Sequence, residues 1–399
     1  MKRPTYFISA RSPSADVLAS ELILALREQF TKVEGFGIVG VATARTKISS
    51  IADLQDFVRL GVHDNFTWAG EALKLVETID EELTKFTPQV AILVGYSAFH
   101  HRLAKQFKAQ NIPVVLYGMT PTEAWQGIDL NSVHHQIDRA LGMFPKPTEV
   151  LEKTKIPYSY VGSPFRDRAD RVFVTRPSLG LPEQVPIICF LPGSRIDHFA
   201  QLFPVMTATA RELKKKKPDL CLLLPLSNFI FEAAKGQIFQ SEKIQPINAD
   251  HTDFHFQYED FTVKRSMTLE LLSLSQAAIT GTGAATIECC LFGIPCLSLH
   301  HHPEDVCQTT KPHEPQSLVN QVWNRQIVPE FELGVAPTQL AEVVLQLIQD
   351  GPEREKMLKG LDEVKASLQG FAAENAAEII GQEIAEWNIK KRAKGPQTA

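Results

Sequence analysis

The feature that most constrains this chain is an alternation, run through twice, of short continuous apolar stretches with longer amphipathic ones. Tyr6–Ala10 reads as a strand, a turn with Ser12, Pro13 and Ser14 follows, and Asp16 opens the helix-patterned run DVLASELILALREQF. Phe36–Ala42 is the next strand. The run VAILVG after Pro88 and the run PVVLYG after Ile112 are two more, with the helical RLAKQFKAQ between them. Strands buried on both faces lose the polar alternation of a half-exposed sheet. Strand, helix and strand in this order give a parallel sheet with helices on both faces.

The alternation then restarts. Residues 164–186 are rich in proline and charge and read as a linker. After them come the strand PIICFLP, a loop, the helix FAQLFPVMTATARELKKKK and the strand LCLLLPL. Later come AAITGT, a turn, the helix AATIECCLFG and the strand IPCLSLH. Two helical stretches follow Gly351, and 391–399 reads as a frayed end. With 399 residues, 44% of them hydrophobic, there is apolar material for more than one core. No internal repeat, signal-peptide core or membrane-spanning run is present, so a cytoplasmic protein is expected. The formal charge of -5 gives no reason to expect nucleic acid as a partner. The Lys214–Lys217 run stands at a helix end before Pro218, where cations suit the dipole. The six cysteines, Cys189, Cys221, Cys289, Cys290, Cys296 and Cys307, form no CxxC pair and read as buried small apolar residues.

Two strand-to-helix corners of the second half carry candidate chemistry. At Leu191-Pro192-Gly193-Ser194-Arg195, glycine admits close backbone approach, Ser194 offers a hydroxyl, and Arg195 offers a forked cation suited to a diphosphate. A Gly-Ser turn before a helix is also common without any ligand. At Thr282-Gly283-Ala284-Ala285-Thr286-Ile287-Glu288, small residues leave room over a helix start, and Glu288 has the reach to accept from a ribose diol. Tight packing of helix on sheet explains that corner equally well. Doubly wound sheets bind ligands at the carboxyl ends of their strands, which is where both corners fall.

At these residues the chain resembles the lipid-A-disaccharide synthase family. The family's LPGSR motif stands unchanged at Leu191–Arg195, and its SGTATLE motif is matched by TGAATIE at 282–288. Its PNLIAGR and VVPE segments are similar to VNQVWNR and IVPE at 319–330, keeping Asn320, Arg325, Pro329 and Glu330. Asp16 with its helix, GVATAR at 40–45, LGV at 60–62 and IPYSYVGSP at 156–164 resemble further family segments. The resemblance implies an α/β fold of GT-B type, two Rossmann-like doubly wound domains around an interdomain cleft. It divides the chain into an acceptor domain, 1–176 completed by helices in 355–399, and a UDP-sugar domain, 177–354. It implies condensation of UDP-2,3-diacylglucosamine with 2,3-diacylglucosamine 1-phosphate to the β-1,6-linked lipid A disaccharide and UDP, with neither metal nor cofactor. In that scheme Gly193, Ser194, Arg195, Thr282, Gly283, Ala284, Glu288, Asn320 and Arg325 bind the UDP-sugar. Lipid substrates imply peripheral contact with the inner membrane surface. A homodimer stays open.

The resemblance fails at the catalytic positions. The family's Asp, the expected base, falls on Gly95, or on Tyr96 or Ser97 in a shifted register. Its GETSGD turn has become RSPSAD, its SPSVWAW loop survives only as TPTEAW with Trp125, and the His of its VGHP segment is Ser163. His100 and His101 stand where the base loop would be, as substitute bases or as polar residues of a surface helix, and His134 and His135 leave the same choice. The cluster His300–His302 with Glu304 and Asp305 reads as a polar loop, with a donor-site role open for His300 or His301. Phe57, Leu60, Val62, Phe66 and Trp68 read as an interfacial patch or as ordinary helix burial. Two readings compete with the synthase: a catalytically impaired paralogue that binds UDP-sugar or lipid without turnover, and a nucleotide-sugar enzyme with another acceptor.

Overall fold

The computed structural model describes residues 4–30, 32–59, 70–85, 87–118, 133–147, 149–227, 230–231, 244–246, 255–301 and 315–393. The chain divides into two compact units, residues 1–164 with 368–399, and residues 165–367.

The first unit is built on a seven-stranded sheet, ordered β3-β2-β1-β4-β5-β6-β7. Its strands are β1 (Thr5–Ala10), β2 (Glu34–Val39), β3 (Ser49–Asp53), β4 (Val90–Val94), β5 (Val114–Tyr117), β6 (Arg139–Gly142) and β7 (Tyr158–Tyr160). Every pairing is parallel. β1 and β4 lie side by side, so the strand order reverses between them. All five residues of VAILV in β4 are buried, as its unbroken apolar run requires. The run expected as strand through Ala42 stops at Val39, and Val41–Ala44 turns helical. The Asp16 carboxylate causes the turn, accepting from Gly40 N (3.2 Å), Ala42 N (2.7 Å) and Thr43 Oγ1 (2.6 Å).

The second unit carries an eight-stranded sheet, ordered β10-β11-β12-β9-β8-β13-β14-β15. Its strands are β8 (Ile187–Leu191), β9 (Cys221–Leu226), β10 (Ile244–Pro246), β11 (His255–Tyr258), β12 (Phe261–Arg265), β13 (Ala277–Thr280), β14 (Cys296–His300) and β15 (Glu330–Glu332). From β12 to β15 all pairs are parallel, whereas β10, β11 and β12 form an antiparallel edge. The order reverses between β8 and β13. The helix Ile196–Lys216 ends as the lysine run leads one to expect, with Lys214 Nζ donating to the Pro218 (3.1 Å) and Leu220 (2.6 Å) carbonyls.

The unit boundaries differ from the sequence expectation at both joins, for identifiable reasons. The stretch expected as a linker is fixed onto the second unit. Arg176 donates to the carbonyls of Glu183 (2.9 Å) and Val185 (2.8 Å) and to Gln276 Oε1 (2.9 Å). Leu181 is buried with Ile187, Leu223 and Leu271. The helix Pro352–Ser367 also belongs here, with Arg354 donating to the Gln276 carbonyl. Only the last helix, Ala372–Ala393, completes the first unit. There Trp387 Nε1 donates to the Asn111 carbonyl, and Arg139 pairs with Glu383 at 2.7 Å.

Candidate functional site

The two corners singled out in the sequence are neighbours. β13 pairs with β8 so that Thr280 lies beside Leu191, and Gly281 N donates to the Leu191 carbonyl at 3.1 Å. Residues 192–195 and 281–284 therefore leave the sheet side by side, at the point where the strand order reverses, the usual ligand crevice of such sheets. Ser298 of β14 pins the second corner, its hydroxyl donating to the Gly281 carbonyl at 3.1 Å.

Both corners open outward. Gly193 has φ +99°, a conformation that favours glycine, and a side chain there would meet only open space. Gly193, Ser194 and Arg195 are exposed, as is Gly283. The helices that follow, Ile196–Lys216 and Ala285–Phe292, both begin without a side chain capping their first N–H groups. Uncapped helix starts with exposed glycines suit an anion. Arg195 Nη2 lies 2.5 Å from His198 Nε2, and the His198 and His301 rings are 5.7 Å apart. His198 escaped the sequence reading, although its position three residues after Arg195 on a helix was a usable signal.

Glu288 is half-buried in the first turns of Ala285–Phe292. Burial pushes its carboxyl above the usual range, opposed by Arg168. The remaining expected donor-site residues sit differently. Asn320 is 1% exposed. Its amide donates to the Val328 carbonyl (2.8 Å) and Glu330 Oε1 (2.7 Å), and its oxygen accepts from Ile327 N (2.7 Å) and Val328 N (3.1 Å). Two donors and two acceptor sites are all an asparagine offers, so none is left for a ligand. Arg325 is half-exposed and paired with Glu363. What this segment supplies is a brace. Glu330 accepts from Ser317 N (2.8 Å) and Ser317 Oγ (2.5 Å), and Leu318 N donates to the Thr282 carbonyl at 2.7 Å. The helix Leu318–Trp323 is thereby tied to the glycine-rich corner.

The matching reversal in the first unit is filled by its own side chains. His100, expected as a substitute base, is fully buried. Its Nδ1 lies 3.1 Å from the Gly95 carbonyl, which can only accept, so Nδ1 carries the proton. Nε2 then accepts from Ser9 Oγ at 2.9 Å. Burial drives the imidazole down to about 3. A ring that is neutral, bonded at both nitrogens and cut off from solvent is a core residue, which removes His100 as a base. His101 is partly exposed, and its Nδ1 lies 3.1 Å from Tyr96 Oη. Gly95 has φ +71°, and a Cβ there would come within 3.2 Å of Arg11. The position that the family's Asp would occupy thus favours glycine.

Other expected features carry less. His134 and His135 are exposed, their rings 3.6 Å apart. Ser163 Oγ is buried, and its backbone N–H donates to the Gln369 carbonyl at 2.7 Å. His302, Glu304, Asp305, Cys307, Trp68 and Trp125 lie outside the described residues. Among the described residues no group of three potential metal ligands occurs, and no helix is long and apolar enough to cross a membrane. Burial raises the thiols of Cys189, Cys289 and Cys290 well above the ordinary range, which makes them inert.

Comparison with known proteins bears on this geometry. Solved structures similar over nearly the whole chain include the glycotransferase of kitacinnamycin (TM-score 0.60, 13% identity, 96% of this chain and 100% of that one). CalG4, the calicheamicin glycosyltransferase, is similar at TM-score 0.60 and 12% identity, with 97% and 99% covered. S. aureus MnaA, solved with UDP, is similar at TM-score 0.61 and 13% identity, with 96% and 97% covered. At such identities the likeness is one of fold, the GT-B fold. In sequence, the Lipid-A-disaccharide synthase of Myxococcus xanthus is 27% identical over 385 residues, covering 94% of this chain and 97% of that protein. Lipid-A-disaccharide synthase 1 of Legionella pneumophila is 26% identical over 393 residues, covering 96% and 98%. A family model described as Lipid-A-disaccharide synthetase matches residues 6–384. With its motifs paired at one sheet reversal and the match running almost end to end, the chain belongs to the lipid-A-disaccharide synthetase family.

Proposed function

We propose that this protein transfers 2,3-diacylglucosamine from UDP-2,3-diacylglucosamine to 2,3-diacylglucosamine 1-phosphate, forming the lipid A disaccharide and releasing UDP. The observation that carries the reading is the adjacency of the 192–195 and 281–284 corners at the β8/β13 reversal. In this reading Arg195 neutralises the diphosphate as it leaves, Gly193 and Ser194 let it approach the backbone, and N–H groups around Gly283 and Ala284 stabilise developing charge. Glu288 accepts from the ribose hydroxyls beside Thr282. Asn320 acts through Glu330 and the Thr282 carbonyl rather than on the donor.

The acceptor hydroxyl must lose a proton, and no carboxylate stands at Gly95. His101, oriented by Tyr96 at the start of Ala98–Ala109, is the group we assign to that role. The test is UDP release when both acylated sugars are supplied. The reading expects UDP and disaccharide from the wild type, and from His101→Ala a large fall in turnover with UDP-sugar binding retained. Binding without UDP release by the wild type would favour the impaired paralogue, a reading that the glycine at position 95 supports. Lipid substrates place the reaction at a membrane surface, and liposome co-sedimentation tests that contact. Light scattering tests the homodimer.

A further inference from the structure

We infer that Glu330 is a positioning residue of the nucleotide site, whose carboxylate, acting through Ser317 and Leu318, sets the direction in which the Gly283 N–H meets the diphosphate. The inference rests on the nucleotide-sugar reading of the second-unit site and deepens it by naming what holds that site's backbone in place.

A trans peptide is planar, so its C=O and N–H point in opposite directions. Holding one carbonyl therefore aims the N–H of the next residue. Three successive carbonyls of the second corner are held. Gly281 O accepts from Ser298 Oγ at 3.1 Å, and Thr282 O from Leu318 N at 2.7 Å. Gly283 O accepts from Thr286 N at 3.1 Å and Thr286 Oγ1 at 2.9 Å. The Gly283 N–H is thereby turned away from the helix Leu318–Trp323. Among the described residues neither Gly283 N nor Ala284 N has an acceptor. Gly283 is exposed, and a Cβ there would meet only open space.

Two of the three holds depend on one segment. Leu318 N holds the Thr282 carbonyl directly. Val319 N donates at 3.3 Å to Thr286 Oγ1, the hydroxyl that holds the Gly283 carbonyl. The segment itself is fixed by Glu330, on whose carboxylate four donors converge. Ser317 N (2.8 Å), Ser317 Oγ (2.5 Å) and Asn320 Nδ2 (2.7 Å) meet Oε1, and Gln316 N (3.0 Å) meets Oε2. An ionised carboxylate only accepts, so it satisfies all four, whereas a glutamine amide would turn a donor towards one of them. Glu330 opens β15 opposite Ser298 of β14, the residue that holds the Gly281 carbonyl. One cross-strand pair thus anchors the holds on all three carbonyls.

Two variants and one probe, UDP, test this. Glu330→Gln puts a donor where the carboxylate accepts. Leu318→Pro leaves Glu330 in place and deletes the N–H that holds the Thr282 carbonyl. Leu318 is the first helical residue, where the fixed φ of proline fits, and Ser317 before it is extended, at φ -75° and ψ 143°. Calorimetry should show each variant binding UDP about 10- to 100-fold more weakly than the wild type. A general loosening of the site would weaken binding too, so the second readout is the Gly283 amide signal itself. It is followed by NMR in protein labelled at glycine nitrogen and identified by its loss in Gly283→Ala. UDP should shift that signal strongly in the wild type and little in either variant. If one variant fails to fold, the other decides. Wild-type affinity in either folded variant overturns the proposal while leaving the nucleotide site intact. So does a Gly283 signal that UDP leaves unmoved in the wild type or moves equally in the variants. No binding of UDP by the wild type overturns both.

Discussion

The two units share a topology and use it in opposite ways. Each has one strand-order reversal, β1 beside β4 in the first and β8 beside β13 in the second. In the first, the helices leaving the reversal are capped by serines, Ser12 accepting from Ala15 N and Ser97 from His100 N. The polar groups there face one another: Ser9 with His100, and Asp16 with Gly40, Ala42 and Thr43. In the second, neither helix has a side-chain cap, and Gly193, Ser194, Arg195 and Gly283 are exposed. A reversal marks where a ligand can bind. Whether one does depends on which helix starts are left open, and the difference is one of side chains rather than fold.

The sharpest way to break this comparison is Arg195→Ala. If the open corner holds the diphosphate, kcat/KM should fall roughly 10²- to 10³-fold. The melting temperature should stay put, because the side chain is exposed. The converse holds for Asp16→Ala. Asp16 is 2% exposed and its carboxylate accepts from Gly40 N, Ala42 N, Thr43 N and Thr43 Oγ1, so denaturant titration should show a loss of about 3 kcal/mol or more. UDP affinity measured on the folded fraction should be unchanged.

A third test uses pH. His100 is held neutral, near 3 in the folded protein against about 6.5 unfolded. A depressed value contributes stability that is full above the unfolded value and lost as pH falls towards the folded one. Stability should therefore decline from about pH 6.5 downward with a slope of up to about 1.4 kcal/mol per pH unit. His100→Gln should remove that part of the slope. The smallest effect concerns Glu288. Its raised carboxyl means that ionisation opposes folding, and the opposition grows as pH rises through the folded value. Glu288→Gln should raise the melting temperature slightly at pH 8 while weakening UDP binding, the mark of a charge kept for a ligand rather than for the fold.

Much of the architecture was legible in the sequence because parallel strands announce themselves. IICFL and CLSLH, almost unbroken apolar runs, could only be buried on both faces. The two corners were legible for the same reason, since each sits between such a run and a helix. The antiparallel edge of β10 to β12 was not, because short mixed segments such as FTVKR lack a decisive period. The linker reading missed Arg176, whose guanidinium fastens a proline-rich stretch that looks loose in composition alone. Asn320 shows the limit of motif transfer. Its place in a segment resembling one of the family's suggested a ligand contact, yet only the hydrogen-bond partners reveal that its amide is fully engaged.

The most direct measurement is a crystal structure of the protein soaked with UDP. The account expects the diphosphate against Gly193, Ser194 and Arg195 beside Gly283, with the ribose hydroxyls on Glu288. Density for UDP elsewhere, or a corner between β8 and β13 that stays empty at saturating nucleotide, would contradict it.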